Sequence, residues 1–254
     1  MMAPAKASMD KTALETHNRI QTDYFSRRLK STMLPAATPY ISRQVDEVLQ
    51  LARVTSENRV LEVGCGMGRY TLELAARRIR IEGLDLTPSL LDQLRKFEAA
   101  RFSIPLHCAD IAQPPAQLLG RFDRIIGFFT LHHLHDLGAC FQGMAGCLKP
   151  GGRIVFLEPN PFNLLYYLQI LLTPGMTWQG DRGILNTRPG VVFSAMSGAG
   201  LADLRLKRCG FFPPFLANRS WAATLETSLE LLPLLHPFLP FQLFHGRRDD
   251  LSPA

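Results

Sequence analysis

The sequence predicts an α/β protein: a doubly wound, mostly parallel seven-stranded sheet whose last strand runs antiparallel. Two observations carry the prediction. Short continuous apolar runs alternate with stretches of helical periodicity, and the first run, in "VLEVGCGMGRYT" (Val60 to Thr71), ends in a turn with three glycines at alternate positions. With 254 residues, 46% of them hydrophobic, the chain is long enough to bury the core of one large α/β domain.

The elements follow in order. Ile41, Val45, Val48 and Leu49 recur at helical spacing, so residues from about 40 to 53 form an amphipathic helix leading into "RVLEVG". A short apolar run flanked by helices reads as a buried parallel strand. "IRIEGLD" (79 to 85) repeats the theme, and then Thr87 offers an N-cap, Pro88 opens a helix, and Leu90, Leu91, Leu94 and Phe97 form its stripe. "IPLHCAD" (104 to 110) and "RFDRIIGFF" (121 to 129) are the third and fourth strands. A helix with Phe141, Met144, Ala145 and Leu148 on one face is closed by the turn "KPGG" before a fifth strand, "RIVFLE" (153 to 158). Strands separated by helices imply right-handed crossovers.

After Glu158 the rhythm breaks. Residues 159–190 are rich in proline, glycine and aromatics and read as an insertion beyond the carboxyl edge, either a lid or a docked structural excursion. A helix near 191 to 200, a strand "LADLRLKRCGF", a helix near 221 to 231 and a last strand "FQLFHGRR" (241 to 248) complete the sheet. The organisation expected is one domain: an N-terminal helical cap segment (1–39), a ligand-binding core (40–158), the insertion (159–190) and the C-terminal completion (191–254).

Composition removes several classes. The net charge of +6 is spread along the chain among nearly as many acids, which argues against a nucleic-acid stripe. Five cysteines form no CxxC pair, so neither a disulfide framework nor a zinc ribbon is indicated, and a reduced, cytoplasmic setting is expected. The N-terminus has no apolar h-region, and the longest greasy stretch, Phe162 to Leu172, is too short to span a bilayer.

In an open parallel sheet, ligands lie at the carboxyl ends of the strands, and a glycine turn after the first strand lets them approach the backbone. A dinucleotide turn has GxGxxG spacing; here the third glycine, Gly68, comes one residue early and Arg69 takes its place. Glu62, two residues before Gly64, would repel a pyrophosphate. A ligand carrying both an ammonium and a carboxylate suits the site better. Asp85, 21 residues after Gly64, ends the second strand where a carboxylate takes ribose hydroxyls. Asp110 ends the third, placed to accept from an adenine amino group. Each acid alone also fits a turn or N-cap role; together they point to an adenosine-containing ligand.

"VLEVGCGMGRYT", "GLDLTPSLL", "CADI", "FDRIIGFFTLHHLHD" and "LKPGGRIVFLEPN", in this order and spacing, resemble the motif series of class I S-adenosylmethionine-dependent methyltransferases of Rossmann-like fold, over roughly residues 40 to 160. The nearest flavour is the subgroup acting on small molecules such as quinone precursors, phenols, lipids and sugars. The resemblance implies S-adenosylmethionine as cofactor. It places Glu62, Gly64, Cys65, Gly66 and Gly68 at the methionine part, Asp85 at the ribose, Asp110 and Ile111 at the adenine, and Phe128 in the pocket lining, with Leu86 also among the cofactor-binding residues. The chain lacks the (D/N)PPY-type motif of the nucleic-acid amino-methylating enzymes after its fourth strand.

Methyl transfer from a sulfonium needs positioning, exclusion of water and, for a hydroxyl acceptor, removal of a proton. His133 and Glu158 are the candidate bases, each with a structural role as its rival. The histidines of "LHHLHD" lack a convincing fourth ligand, so no metal is expected. Tyr24, Tyr40, Tyr166, Tyr167 and Trp178 are the candidate substrate contacts, in an apolar pocket. "LETSLELLPLLHPFLPFQLF" is unusually greasy: either it seats the last helix against the sheet or it rests on a membrane surface. The rival readings are a cofactor-binding protein without turnover and an NAD(P)-dependent oxidoreductase.

Overall fold

The computed structural model describes residues 33–163 and 182–249, together with positions 16, 19, 22 and 167. Helix α1 (Pro39–Ala52) begins where the Thr38 hydroxyl accepts from the Ile41 N–H and ends at Arg53 in the left-handed region; a cap of this kind contributes about 1 kcal/mol. Its Ile41, Val45 and Val48 are fully buried. Strand β1 (Arg59–Val63), α2 (Thr71–Ala76), β2 (Arg80–Asp85), α3 (Pro88–Glu98), β3 (Leu106–Cys108), β4 (Phe122–Phe128), α4 (Leu137–Cys147) and β5 (Leu148–Pro159) continue the alternation. A 3-10 turn (Arg182–Thr187), α5 (Pro189–Gly198), β6 (Leu201–Cys209), α6 (Pro214–Ala217), α7 (Ala222–Glu230) and β7 (Phe241–Arg248) follow.

The strands form one sheet in the order β3-β2-β1-β4-β5-β7-β6. Strands β1 to β5 pair in parallel. Strand β7 runs antiparallel between β5 and β6, so β6 points the same way as the first five. Because side chains alternate along a strand, the sheet feeds two cores. Val60, Ile126, Val155, Leu157 and Leu243 pack under α1, while Leu61, Ile125, Ile154, Phe156 and Phe244 pack under α4 and α5. The order reverses between β2-β1 and β4, and this switch point opens a crevice at the carboxyl edge.

Several expectations are corrected. The third strand spans three residues, Leu106–Cys108, rather than 104 to 110. The "KPGG" turn lies inside β5 as a bulge, because Phe122 pairs with Leu148 while Arg124 pairs with Arg153. Leu148 therefore opens β5 instead of closing the helix face. Phe97 is exposed, and the stripe of α3 is closed by Glu98, whose carboxylate accepts from the Ile104 N–H at 2.6 Å. Thr87 occupies the N-cap of α3 but its side chain makes no cap bond. The greasy C-terminal segment is seated only in part: Leu239, Leu243 and Phe244 are buried, whereas Leu231, Leu232, Leu234 and Phe238 are exposed.

Candidate active site

The turn between β1 and α2 is pinned to its neighbour strand, because the Gly64 and Cys65 N–H groups both donate to the Leu84 carbonyl, at 2.8 and 3.1 Å. Its three glycines have different reasons to be glycine. A Cβ on Gly64 (φ +74°) would fall 2.4 Å from the Thr130 side chain, and one on Gly68 (φ +91°) would fall 2.8 Å from Leu94. Those two let the turn close on the protein. Gly66 (φ +51°) is different, since a Cβ there would meet nothing within 4 Å. Its N–H donates to Asp85 Oδ2 at 2.8 Å, and Asp85 Oδ1 accepts from the Thr87 N–H at 2.8 Å. Burial raises the Asp85 carboxyl above its ordinary range while these N–H groups pull it back. The helix after the turn begins at Thr71, although the Gly68 carbonyl already accepts from the Leu72 N–H. Arg69, which replaces the dinucleotide glycine, donates to the Leu34 carbonyl.

Glu62 lies beneath this turn, 1% exposed, and accepts from the Thr71 hydroxyl at 2.7 Å. Burial pushes its carboxyl up to about 8; the Thr71 bond lowers it and Asp85 adds to the rise. Cys65 turns away from the open side: its sulfur occupies the space that a Cβ on Gly83 would need, and it belongs to the core under α1. Leu86, half-buried, follows Asp85. At the next strand end, Asp110 accepts from the Ala112 N–H at 2.9 Å. The Ile111 side chain is buried under α4, where the Ile111 carbonyl fills the space beside Gly143.

Phe128 ends β4 and stacks on Tyr70, with ring centroids 4.1 Å apart and planes within 6°. Phe129, at φ 56°, meets Tyr70 and, edge-on, Phe241; Tyr40 completes the chain against Phe241. An aromatic wall thus runs from β4 to α1. Tyr40 is held by its N–H on Asn218 Oδ1, and burial pushes its hydroxyl up to about 12.

The turn after β4 is built on Glu158. This carboxylate is fully buried; Oε1 accepts from the Thr130 and Leu131 N–H groups, both at 2.7 Å, and Oε2 lies 2.7 Å from His132 Nδ1. Of the two roles open to Glu158, base or structural, the contacts favour the structural one, because its oxygens are spent on the turn. His132, which sequence reasoning passed over, is the buried histidine, while His133 is half-buried with its ring 3.9 Å from that of His132. Consecutive residues of the 3-10 turn Leu131–His133 point in different directions, so the two histidines do not share an environment, and the position of Glu158 selects His132 as the inward one. Gly183 packs on the His132 carbonyl, where a Cβ would fall 1.8 Å away. Tyr167 donates to the Pro161 carbonyl at 2.7 Å. Tyr24, Tyr166 and Trp178 lie outside the described residues. Among the described residues, no group of three or more His, Cys, Asp or Glu side chains is placed to hold a metal ion.

The residues present fit an adenosine-bearing amino acid. The backbone is bare and open at Gly66, a carboxylate stands on each side of the turn, and aromatic rings continue the wall.

The profile of the Methyltransferase domain family matches residues 60–152. The chain is 28% identical over 162 residues to a ubiquinone biosynthesis O-methyltransferase of Coxiella burnetii, covering 63% of this chain and 66% of that protein. It is 31% identical over 129 residues to a malonyl-[acyl-carrier protein] O-methyltransferase of Legionella pneumophila, covering 49% and 45%. The match thus spans less than two thirds of the length of either relative. Among solved structures, Haemonchus contortus phosphoethanolamine N-methyltransferase 2 in complex with S-adenosyl-L-methionine superposes with a TM-score of 0.59 at 13% identity, over 82% of this chain and 52% of that one. The [4+2]-cyclase SpnF gives 0.57 at 19%, over 82% and 80%. Residues 60–152 therefore match a methyltransferase domain, in a fold shared with a protein solved in complex with S-adenosyl-L-methionine.

Proposed function

We propose that this protein is an O-methyltransferase that transfers the methyl group of S-adenosylmethionine to a small apolar or aromatic acceptor, a phenol or quinone precursor. The single observation that carries the reading is the Gly66 to Asp85 contact, a bare backbone position with open space beside a partly exposed strand-end carboxylate. When bound, the cofactor supplies a methyl group already activated on a sulfonium. Asp85 and Leu86 hold the ribose, Asp110 and Ile111 the adenine, and the turn from Glu62 to Gly68 the methionine part. Cys65 and Ile111 contribute through their backbone, since their side chains are in the core.

His133 takes the proton from the acceptor hydroxyl, and Glu158 acts one step back. With Glu158 ionised, His132 Nδ1 donates to it, and the pair fixes the turn that presents His133. Tyr40 and the rings of Phe129 and Phe241 exclude water from the acceptor. The names of the two curated relatives support oxygen as the methylated atom. Tyr24, Tyr166, Tyr167 and Trp178 remain the candidate acceptor contacts.

A second reading is a protein that keeps the cofactor pocket and uses it for something other than methyl transfer. The likeness to a [4+2]-cyclase favours keeping it in view, because one fold hosts different reactions. The separating experiment incubates the protein with S-adenosylmethionine labelled at the methyl group and a panel of catechols and phenols with and without apolar tails. Label transferred to an acceptor, with stoichiometric S-adenosylhomocysteine, is expected. Tight cofactor binding with no transfer to any acceptor of the panel would favour the second reading.

A further inference from the structure

The segment joining β6 to β7 leaves the sheet at its carboxyl edge and returns there, because β6 runs with the parallel strands and β7 against them. It therefore shares an edge with the glycine turn, Asp85 and the Glu158-built turn. This segment exposes a run of large apolar side chains. Phe215, Trp221, Leu231, Leu232, Leu234 and Phe238 are each at least 50% exposed, Leu234 at 88%. Scattered exposed apolar residues need no explanation, but so many within 24 positions mark an interaction surface.

The charges of the segment identify what the surface fits. Its two carboxylates both turn inward. Glu226 is 3% exposed, pairs with Arg43 and accepts from the Phe211 and Phe212 N–H groups. Glu230 pairs with the same Arg43 at 2.9 Å and accepts from the Gly210 N–H. The outward face of residues 210–240 thus carries no exposed carboxylate; its exposed ionisable groups are Arg219 and His236. Prolines at 213, 214, 233, 237 and 240 break it into short pieces, so it offers no long helical ridge for a groove on a folded partner. Tryptophan and phenylalanine beside a cation, with acids withdrawn, are what the boundary of an anionic bilayer accepts.

We propose that residues 211–238 are a docking surface for an anionic lipid bilayer, holding the carboxyl edge of the sheet against the membrane so that an apolar acceptor enters from the lipid phase. The docking stands by itself; the delivery of an acceptor rests on the methyl-transfer reading. Among the described residues no helix is long and apolar enough to cross a membrane, and the contact proposed is a peripheral one.

Flotation tests this with the whole chain and two kinds of vesicle, phosphatidylcholine alone and phosphatidylcholine with phosphatidylglycerol. The wild type is expected to float with the anionic vesicles. The Leu231→Glu/Leu234→Glu variant, changed at exposed positions only, is expected to lose at least about tenfold in partition with its S-adenosylmethionine affinity in solution unchanged. A wild type left in the soluble fraction with both vesicles, or a variant that floats equally well, overturns the proposal. So does a wild-type dimer in light scattering that the double variant abolishes, which would give the face to a second copy of the chain. Failure of the methyl-transfer reading shows separately, as absent transfer of the labelled methyl group to any acceptor in solution without vesicles.

Discussion

Asp85 and Glu158 both stand at the carboxyl ends of parallel strands, and both accept from two backbone N–H groups, yet they serve opposite ends. Glu158 is sealed, with one oxygen on the Thr130 and Leu131 N–H groups and the other on His132. Asp85 is partly exposed and lies beside Gly66, the turn glycine whose missing Cβ leaves open space. An acid at a strand end looks the same in sequence in both cases. The neighbouring loop decides whether it is sealed inside the fold or left partly exposed, where we propose that a ligand meets it.

The contrast is most forcefully broken at Glu158. Glu158→Ala strands two N–H groups and a buried histidine, and is expected to cost about 3–5 kcal/mol of stability, read from urea unfolding. A cost below about 1 kcal/mol would show that the seal is not structural. Asp85→Ala should leave the fold nearly intact and weaken S-adenosylmethionine binding by about 2 kcal/mol or more, roughly thirtyfold, in calorimetric titration. Unchanged affinity in a folded variant would remove the ribose assignment.

Gly66→Val sharpens the comparison inside the turn. Its φ of +51° makes a side chain cost about 1–2 kcal/mol, while the open space lets the protein fold with the cofactor site blocked. A folded variant that binds normally would relocate the site. Glu62 adds a pH dependence. Burial holds its carboxyl at about 8 against an ordinary 4.5, so the folded protein keeps a proton that the unfolded chain gives up. This contribution to stability is fully present below 4.5, falls as pH rises and levels off above about 8; Glu62→Gln should flatten that part of the profile in thermal melts across pH 5–8. An ammonium group favours ionised Glu62, so binding should release a proton at neutral pH, measured as a buffer-dependent heat. The smallest effect belongs to Gly138→Ala, whose Cβ would meet only Asp136 Oδ1 at 3.2 Å. Stability within about 0.5 kcal/mol of wild type and normal cofactor binding are expected.

The sheet was legible because its signals are local. Apolar runs such as Val60–Val63 and Ile125–Phe128, and the stripe Ile41, Val45, Val48, give strands and helix directly. Departures from the reading arise where tertiary contacts override a pattern. Phe97 continues the helical stripe of α3 but is exposed because Glu98 is needed inside to hold the Ile104 N–H. "KPGG" reads as a turn and is absorbed as a bulge. Asp85 and Gly66 were placed together by motif spacing, whereas the choice between His132 and His133 depends on a carboxylate 26 residues from His132. Hydropathy marked the C-terminal segment as buried or membrane-facing, and the inward turn of Glu226 and Glu230 onto Arg43, in a distant helix, decides how it presents itself.

The central claim is that the turn at Gly66 and Asp85 receives S-adenosylmethionine, and the most direct test titrates the purified protein with S-adenosylmethionine, S-adenosylhomocysteine and NADH in parallel calorimetry. Micromolar binding of the first two, silence from NADH, and a large loss in Asp85→Ala are the outcome this account predicts. Binding of NADH alone would contradict it and return the glycine turn to a dinucleotide.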